Sequence, residues 1–170
     1  RDIVFFLIYY LKGTNIWTYR PSIEAWVGLG ALEELPSNKL PGFTERLVNW
    51  LPNIAQHRCG VGEVGGFLER LRDGTWMGHI LEHVGIELQN LAGSKVGFGK
   101  TRQIGDTTVY KMAMRTRSEI VGRAALETGR ELLLAAVSDQ PSDVAASVAK
   151  ISRLVDRPRL GPNDSCTAAA

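Results

Sequence analysis

The stretch "WMGHILEHVGIELQNLA", residues 76–92, constrains the fold more than any other part of the chain. A helical period gathers its large apolar side chains within an arc of about 100°, the usual width of a stripe that faces a core. The stripe contains Met77, Ile80, Leu81, Val84, Leu88 and Leu91. On the opposite side lie His79, Glu82, His83, Ile86 and Asn90. The pattern therefore predicts one long helix with a polar face that could carry chemistry.

Two glycines, Gly78 and Gly85, interrupt this helix. Each costs about 1 kcal/mol relative to alanine inside a helix, and a helix face open to solvent rarely carries two. We therefore expect another segment to pack closely on the histidine side, so that the helix is covered on both faces. Thr75 is predicted to cap its start and Gly93 to end it.

The rest of the chain predicts an α+β fold with a small mixed or antiparallel sheet and four to five helices. Strands are expected at residues 2–11, at 22–30 as a half-buried strand and near 107–116, with a short one in the glycine-rich loop 94–106. Shorter helices are expected at 45–51 after Thr44, at 67–74, from Ser118 to Val137 and from Asp143 to Leu154. Residues 1–156 would form one domain. Residues 157–170, with Cys166, read as a linker or tail.

Composition excludes several classes of protein. Hydrophobic residues make up 44% of the 170 residues, and the net charge is +2. The sequence lacks the basic stripe that is typical of a nucleic-acid binder. The most apolar run, "IVFFLIYYL", is too short to cross a membrane. Two cysteines do not make a disulfide scaffold, so we expect a cytoplasmic protein.

The order His79-x-x-Glu82-His83 is the H-x-x-E-H pattern of inverted zinc peptidases. Imidazoles at i and i+4 can bind one Zn²⁺, and Glu82 could activate water as a general base. Tetrahedral zinc needs a third protein ligand. Cys59 is the first candidate because its thiolate is soft, Glu87 the second and His57 the third. Glu87 could instead orient His83 from outside the ligand set.

Six ordered segments resemble the N-terminal domain of cyanophycin synthetase: "KGTNIW", "LGALEELPSNKLPGFTERL", "HRC", "GGFLERLRDGTW", "HILEHVGIELQNLAG" and "VGFGKTR". The similarity runs from about Leu11 to Arg130. It implies that His79, Glu82 and His83 match the family's H-x-x-E-H positions and that Cys59 matches the cysteine of "HRC". Gln103, Val64 and Gly85 depart from the family pattern, outside the metal motif.

The resemblance also implies a function. Cyanophycin is a polyaspartate that carries an arginine on each side-chain carboxylate. The family's complete enzyme joins an ATP-grasp domain and a Mur-ligase-like domain to an N-terminal domain that holds the polymer and, in some members, cuts it into primers at a metal site. No phosphate-binding G-x-x-x-x-G-K-[ST] motif is present, so this chain is expected to be an excised N-terminal domain rather than a ligase.

A polymer of guanidinium and carboxylate groups should meet protein charges of both signs. The candidates for binding it are Glu69, Arg70, Arg72, Asp73 and Lys100, while Arg102 or Arg72 would hold the substrate or stabilise a developing oxyanion. Two alternatives to a hydrolase remain at this point. One is a non-catalytic module that tethers the polymer, and the other is an architectural domain that braces a homo-oligomer.

Overall fold

The computed structural model describes residues 2–60 and 62–156. The predicted tail and Cys166 lie outside this part of the chain. The α+β class is confirmed, and the sheet is antiparallel. Four strands lie in the order β1-β2-β4-β3; they are β1 (Val4–Leu11), β2 (Ser22–Gly28), β3 (Gly99–Gln103) and β4 (Val109–Arg115).

Five α-helices accompany the sheet in the described residues: α1 (Phe43–Trp50), α2 (Gly66–Asp73), α3 (Met77–Leu91), α4 (Glu119–Val137) and α5 (Val144–Val155). Helix α3 packs against β3 and β4 on one side and against α4 on the other. The main core lies between these layers and includes Ile23, Ala25 and Val27 of β2, none of which is exposed. None of the helices described is long and apolar enough to cross a membrane.

Helix α3 is covered on both faces, as its sequence predicted: twelve of its 15 residues are buried. The glycines explain how the sheet comes so close. A Cβ on Gly78 would lie 3.2 Å from the Tyr110 ring, and one on Gly85 would lie 2.7 Å from Met114 Sδ. Gly93 follows the helix with φ of 91°, the left-handed conformation expected at its end.

Several local predictions are wrong. Thr75 does not cap α3: Trp76 occupies that position without a side-chain hydrogen bond. Thr44 does not cap α1 either, because the helix begins at Phe43, and the Thr44 hydroxyl donates to the Leu71 carbonyl oxygen at 3.4 Å. Leu91, expected in the core stripe, is 40% exposed, and it is the last residue of the helix.

Strand β2 is buried on both faces instead of one. Glu24, on the face opposite the core, is only 5% exposed because it accepts hydrogen bonds from the indole N–H groups of Trp17 and Trp26. Lys111 Nζ lies 3.4 Å from the same carboxylate. The face of β2 opposite the core is therefore largely covered, and only Trp26 on it is partly exposed. The caps at Ser118 and Asp143 are confirmed, since each side chain accepts a backbone N–H in the first turn of its helix.

Candidate metal centre

Three side chains from two parts of the chain converge beside α3. The potential ligand atoms of Cys59, His79 and His83 all lie within 4.8 Å of one another. Cys59 Sγ is 3.4 Å from His79 Nε2. The two histidines share a helix face because they are four residues apart, and Cys59 comes from the extended segment before α2. A thiol and two imidazoles at this spacing form a donor set suited to zinc.

Phe67 of α2 holds the two histidine rings in place. Its ring stacks on His83 with centroids 3.7 Å apart and meets His79 edge-on at 5.4 Å. Phe67 is fully buried, so the stack is screened from water on that side. No sequence pattern marks Phe67 as part of the site. Its place at the start of an amphipathic helix looked like that of any core phenylalanine.

Hydrogen bonds hold the far side of each imidazole. The Thr75 hydroxyl lies 2.9 Å from His79 Nδ1, which explains the role of a threonine that does not cap the helix. His57 Nδ1 lies 3.1 Å from His83 Nδ1. Glu87 therefore does not orient His83 directly: its carboxylate contacts His57 at 3.0 Å, and it lies outside the three-residue donor group.

Glu82 stands one turn from His79 and is 6% exposed. Burial raises the pKa of its carboxyl group to about 7, and the hydrogen bond from Thr101 opposes that rise. Thr101 Oγ1 donates to Glu82 Oε2 at 2.6 Å. Gly99 leaves room for the carboxylate, since a Cβ there would lie 2.6 Å from Oε1. The strand β3 thus accommodates and orients a carboxyl group that can exchange a proton near neutral pH.

The environment favours the neutral form of both imidazoles. Burial lowers the pKa of His83 to about 2, with further lowering from His79 and His57. Burial also lowers the pKa of His79, and the Arg70 guanidinium adds to the effect. Burial raises the pKa of the Cys59 thiol, and Arg70 opposes that rise. Neutral imidazoles have a lone pair for a metal, and a metal would itself favour the thiolate.

The site opens into a cleft of about 580 Å³, whose lining includes His79, Glu82, His83, Arg58 and Lys100. A second cleft shares His57 and Asn90 with it and extends towards Glu87 and Lys95. Arg58 and Lys100 contribute to the lining of the first cleft, and Lys95 and Arg115 to that of the second.

Helix α2 carries four of the charged residues that were predicted to bind substrate, and all four are exposed: Glu69, Arg70, Arg72 and Asp73. Arg70 is the one that affects the candidate metal centre, because its charge opposes the rise in the pKa of Cys59 and adds to the lowering of the pKa of His79. Arg102 is not brought to the cleft. Because side chains alternate along a strand, Thr101 faces Glu82 while Arg102 points to the other face of the sheet, where its guanidinium lies 5.6 Å from the Trp17 ring centroid.

The part of the chain that carries this site is similar to a known protein family. Residues 24–138, more than half of the chain, match the family described as the cyanophycin synthase-like N-terminal domain. The chain belongs to this family. The resemblance inferred from the sequence motifs is thereby confirmed.

Curated relatives named cyanophycin synthetase align with the same part of the chain. The protein from Trichormus variabilis is 47% identical over 117 residues, and those from a Synechocystis species and from Crocosphaera subtropica are 44% identical over the same length. Each alignment covers 68% of this chain and 13% of the relative. The family domain is thus a small part of those enzymes.

Proposed function

We propose that this domain binds cyanophycin and hydrolyses its polyaspartate backbone at a zinc site, which would provide primers for polymer synthesis. The observation that carries the proposal is the grouping of Cys59, His79 and His83 beside a cleft that is lined by both histidines and by Glu82. The ligase domains that the relatives' name implies, which would use ATP and extend the polymer, are the partners that we propose for it.

The residues present fit zinc. Cys59 Sγ and one nitrogen from each of His79 and His83 would hold it, which leaves a position open for substrate or water, as catalytic sites require. A bound zinc ion supplies Lewis acidity, which polarises a carbonyl group and eases deprotonation of water. Glu87 and His57 are the less suitable ligands because they are hydrogen-bonded to each other.

Glu82 is the proposed general base. Hydrolysis breaks a peptide C–N bond and forms a C–O bond, so one proton must leave the attacking water and one must reach the departing nitrogen. A carboxyl group with a pKa of about 7 can accept the first and deliver it as the second at neutral pH. Thr101 restrains one oxygen, Oε2, and leaves the other free for this exchange.

Arg70 is the proposed partner of substrate carboxylate or of the developing oxyanion. Its guanidinium is close enough to Cys59 and His79 to affect the pKa of each, and it is exposed to the solvent from which a polymer would approach. This role replaces the one predicted for Arg102, which faces the opposite side of the sheet.

The test compares wild type with Glu82→Gln and His79→Ala, measuring bound zinc by elemental analysis and cleavage by the release of new termini from soluble cyanophycin. Glu82→Gln should retain zinc and polymer affinity but lose cleavage about a hundredfold or more, the usual contribution of a general base. His79→Ala should lose both zinc and cleavage. Glu127→Gln makes the same chemical change at a residue whose ion pair with Arg130 is partly exposed on α4, and it should match wild type.

Equal cleavage by wild type and Glu82→Gln would contradict the role of Glu82. Polymer binding by a zinc-free wild type that never cleaves would identify the domain as a tethering module. Absence of zinc, binding and cleavage together would favour the architectural alternative.

A further inference from the structure

Behind the candidate metal centre, a line of hydrogen-bonded side chains runs from His83 to the 3-10 turn Pro52–Gln56. His83 Nδ1 lies 3.1 Å from His57 Nδ1, and His57 Nε2 lies 3.0 Å from Glu87 Oε2. Asn53 Nδ2 donates to Glu87 Oε1 at 3.0 Å. Both nitrogens of His57 are thus engaged, one by a possible ligand and the other by an acid.

The line lies in a largely buried environment. The side chain of Glu87 is 4% exposed and that of His57 is 15% exposed. Phe67 stacks on His83, which limits rotation of that ring. Glu87 and His83 are therefore largely removed from water and depend on the neighbours that the structure provides, while Asn53 at the outer end of the line is exposed.

The chemistry of the groups sets the direction of every hydrogen bond. A carboxylate only accepts, so Glu87 requires a proton on His57 Nε2. A neutral imidazole has one donor and one acceptor, so a neutral His57 accepts at Nδ1. The facing nitrogen, His83 Nδ1, must then donate, and the lone pair of His83 is left on Nε2.

We propose that Glu87, acting through His57, is a positioning residue that sets the tautomer of His83 and so reserves Nε2 for a metal. This inference rests on the proposed function, because that function includes the metal. The hydrogen-bond direction itself is a property of the metal-free protein and can be tested separately. Thr75 holds His79 by a single hydroxyl, which can donate or accept and therefore imposes no tautomer.

Glu87→Gln tests the direction with almost no change in volume. Asn53 donates to Oε1, so the glutamine oxygen should stay on that side and its NH₂ group should face His57 Nε2. His57 Nε2 would then have to accept, which reverses the line and places the proton of His83 on Nε2. Zinc could bind there only after the tautomer changes. We expect zinc affinity to fall 10- to 100-fold, the usual effect of losing an outer-shell partner.

The chain contains three histidines, so nitrogen-15 spectra of the imidazoles can be assigned completely. In metal-free wild type we expect His83 to carry its proton on Nδ1, and in Glu87→Gln on Nε2. Zinc dissociation constants from chelator competition provide the second measurement. Thr75→Val is the matched control: it removes a partner of His79 and should leave the tautomer of His83 unchanged.

A proton on His83 Nε2 in metal-free wild type, or a doubly protonated His57, would overturn the inference without any variant. The same holds if Glu87→Gln binds zinc as tightly as wild type with an unchanged tautomer. Wild type that shows the expected tautomer but no zinc affinity would support the hydrogen-bond direction and refute the proposed metal site.

Discussion

Glu82 occupies a space that only glycine at the neighbouring strand position permits. Gly99 is paired with Met114 in the sheet, so its backbone cannot easily retreat, and an added Cβ would lie 2.6 Å from Glu82 Oε1. The side chain of Glu82 would have to move instead. A displacement of about 1 Å at a reacting group can lower a rate a hundredfold.

On the proposed function, Gly99→Ala is expected to lower cyanophycin cleavage at least tenfold while bound zinc stays at the wild-type level. Gly97→Ala, two residues before β3 begins, is the control because its Cβ would meet no atom within 4 Å. Cleavage assays and elemental analysis of both variants provide the comparison. Normal cleavage by Gly99→Ala would show that the position of the Glu82 carboxylate does not matter.

The titrating groups of the site have opposite effects on stability in zinc-free protein. Burial lowers the pKa of His83 to about 2 in the folded protein. Below about pH 6.5 the unfolded chain therefore binds a proton at His83 that the folded protein does not bind, and the free energy of unfolding falls. The pKa of Glu82 is raised to about 7 from 4.5. Between these values the folded state takes up a proton that the unfolded state does not, so acidification relieves the cost of burying that carboxylate.

Glu82→Gln removes only the second effect. Between pH 6.5 and 4.5, its stability should therefore fall more steeply on acidification than that of wild type, by up to about 1.4 kcal/mol per pH unit, the value for one proton. Urea unfolding in the presence of a chelator at pH 7, 6 and 5 measures the difference. Parallel pH profiles would mean that Glu82 titrates at its ordinary pKa.

At the scale of elements, the glycines of α3 set its distance from the sheet. Gly85 faces Met114 of β4, which is fully buried, and a methyl group there would lie 2.7 Å from Sδ. A Cβ on Gly129 of α4 would lie 3.1 Å from Leu81 Cδ1 and 3.4 Å from Val84 Cγ1 of α3. Helix α3 is therefore tightly packed between the sheet and α4, and this packing buries the face that carries the histidines.

Gly85→Ala should lower the free energy of unfolding by about 1–3 kcal/mol, the usual cost of overpacking a core. Met114→Ala alone should cost about 2–5 kcal/mol through the cavity it leaves. Together the two changes should cost less than their sum, since the added methyl group enters the vacated space. Urea unfolding of the two single variants and the double variant gives this cycle. Additive costs would show that Gly85 and Met114 do not compete for the same space.

At the scale of the whole molecule, the candidate site joins parts of the chain that are otherwise connected through α2. Cys59 precedes that helix and the two histidines follow it. A ligand that binds only the folded state stabilises it, by about 4 kcal/mol at a thousandfold excess over its dissociation constant. Zinc is therefore expected to raise the thermal midpoint by roughly 10 °C for a chain of this size.

Differential scanning calorimetry with zinc and with chelator measures this shift. Cys59→Ala should lose most of it, and Mg²⁺ should produce none because it prefers oxygen ligands. An equal zinc-induced shift in wild type and Cys59→Ala would mean that the thiol is not a ligand. His79→Ala in the same series shows whether the shift comes from this site at all.

The sequence by itself determined the features that depend on residues close together in the chain. The period of the apolar side chains predicted α3, and the side chains of Ser118 and Asp143 predicted the starts of α4 and α5. The i, i+4 spacing placed His79 and His83 on one face, and the softness of a thiolate ranked Cys59 first among the candidate partners. Each of these inferences needs only helix geometry, capping or ligand chemistry.

Only the tertiary structure decided which partners face one another across the fold. Thr101 faces Glu82 and Arg102 faces away because of the register of β3, and a shift of one residue would exchange them. Phe67 contacts the histidines because α2 packs beside α3. Glu87 contacts His57 because the 3-10 turn Pro52–Gln56 ends just before His57 and places it next to α3. Such contacts depend on the packing of distant segments, which local sequence patterns do not encode.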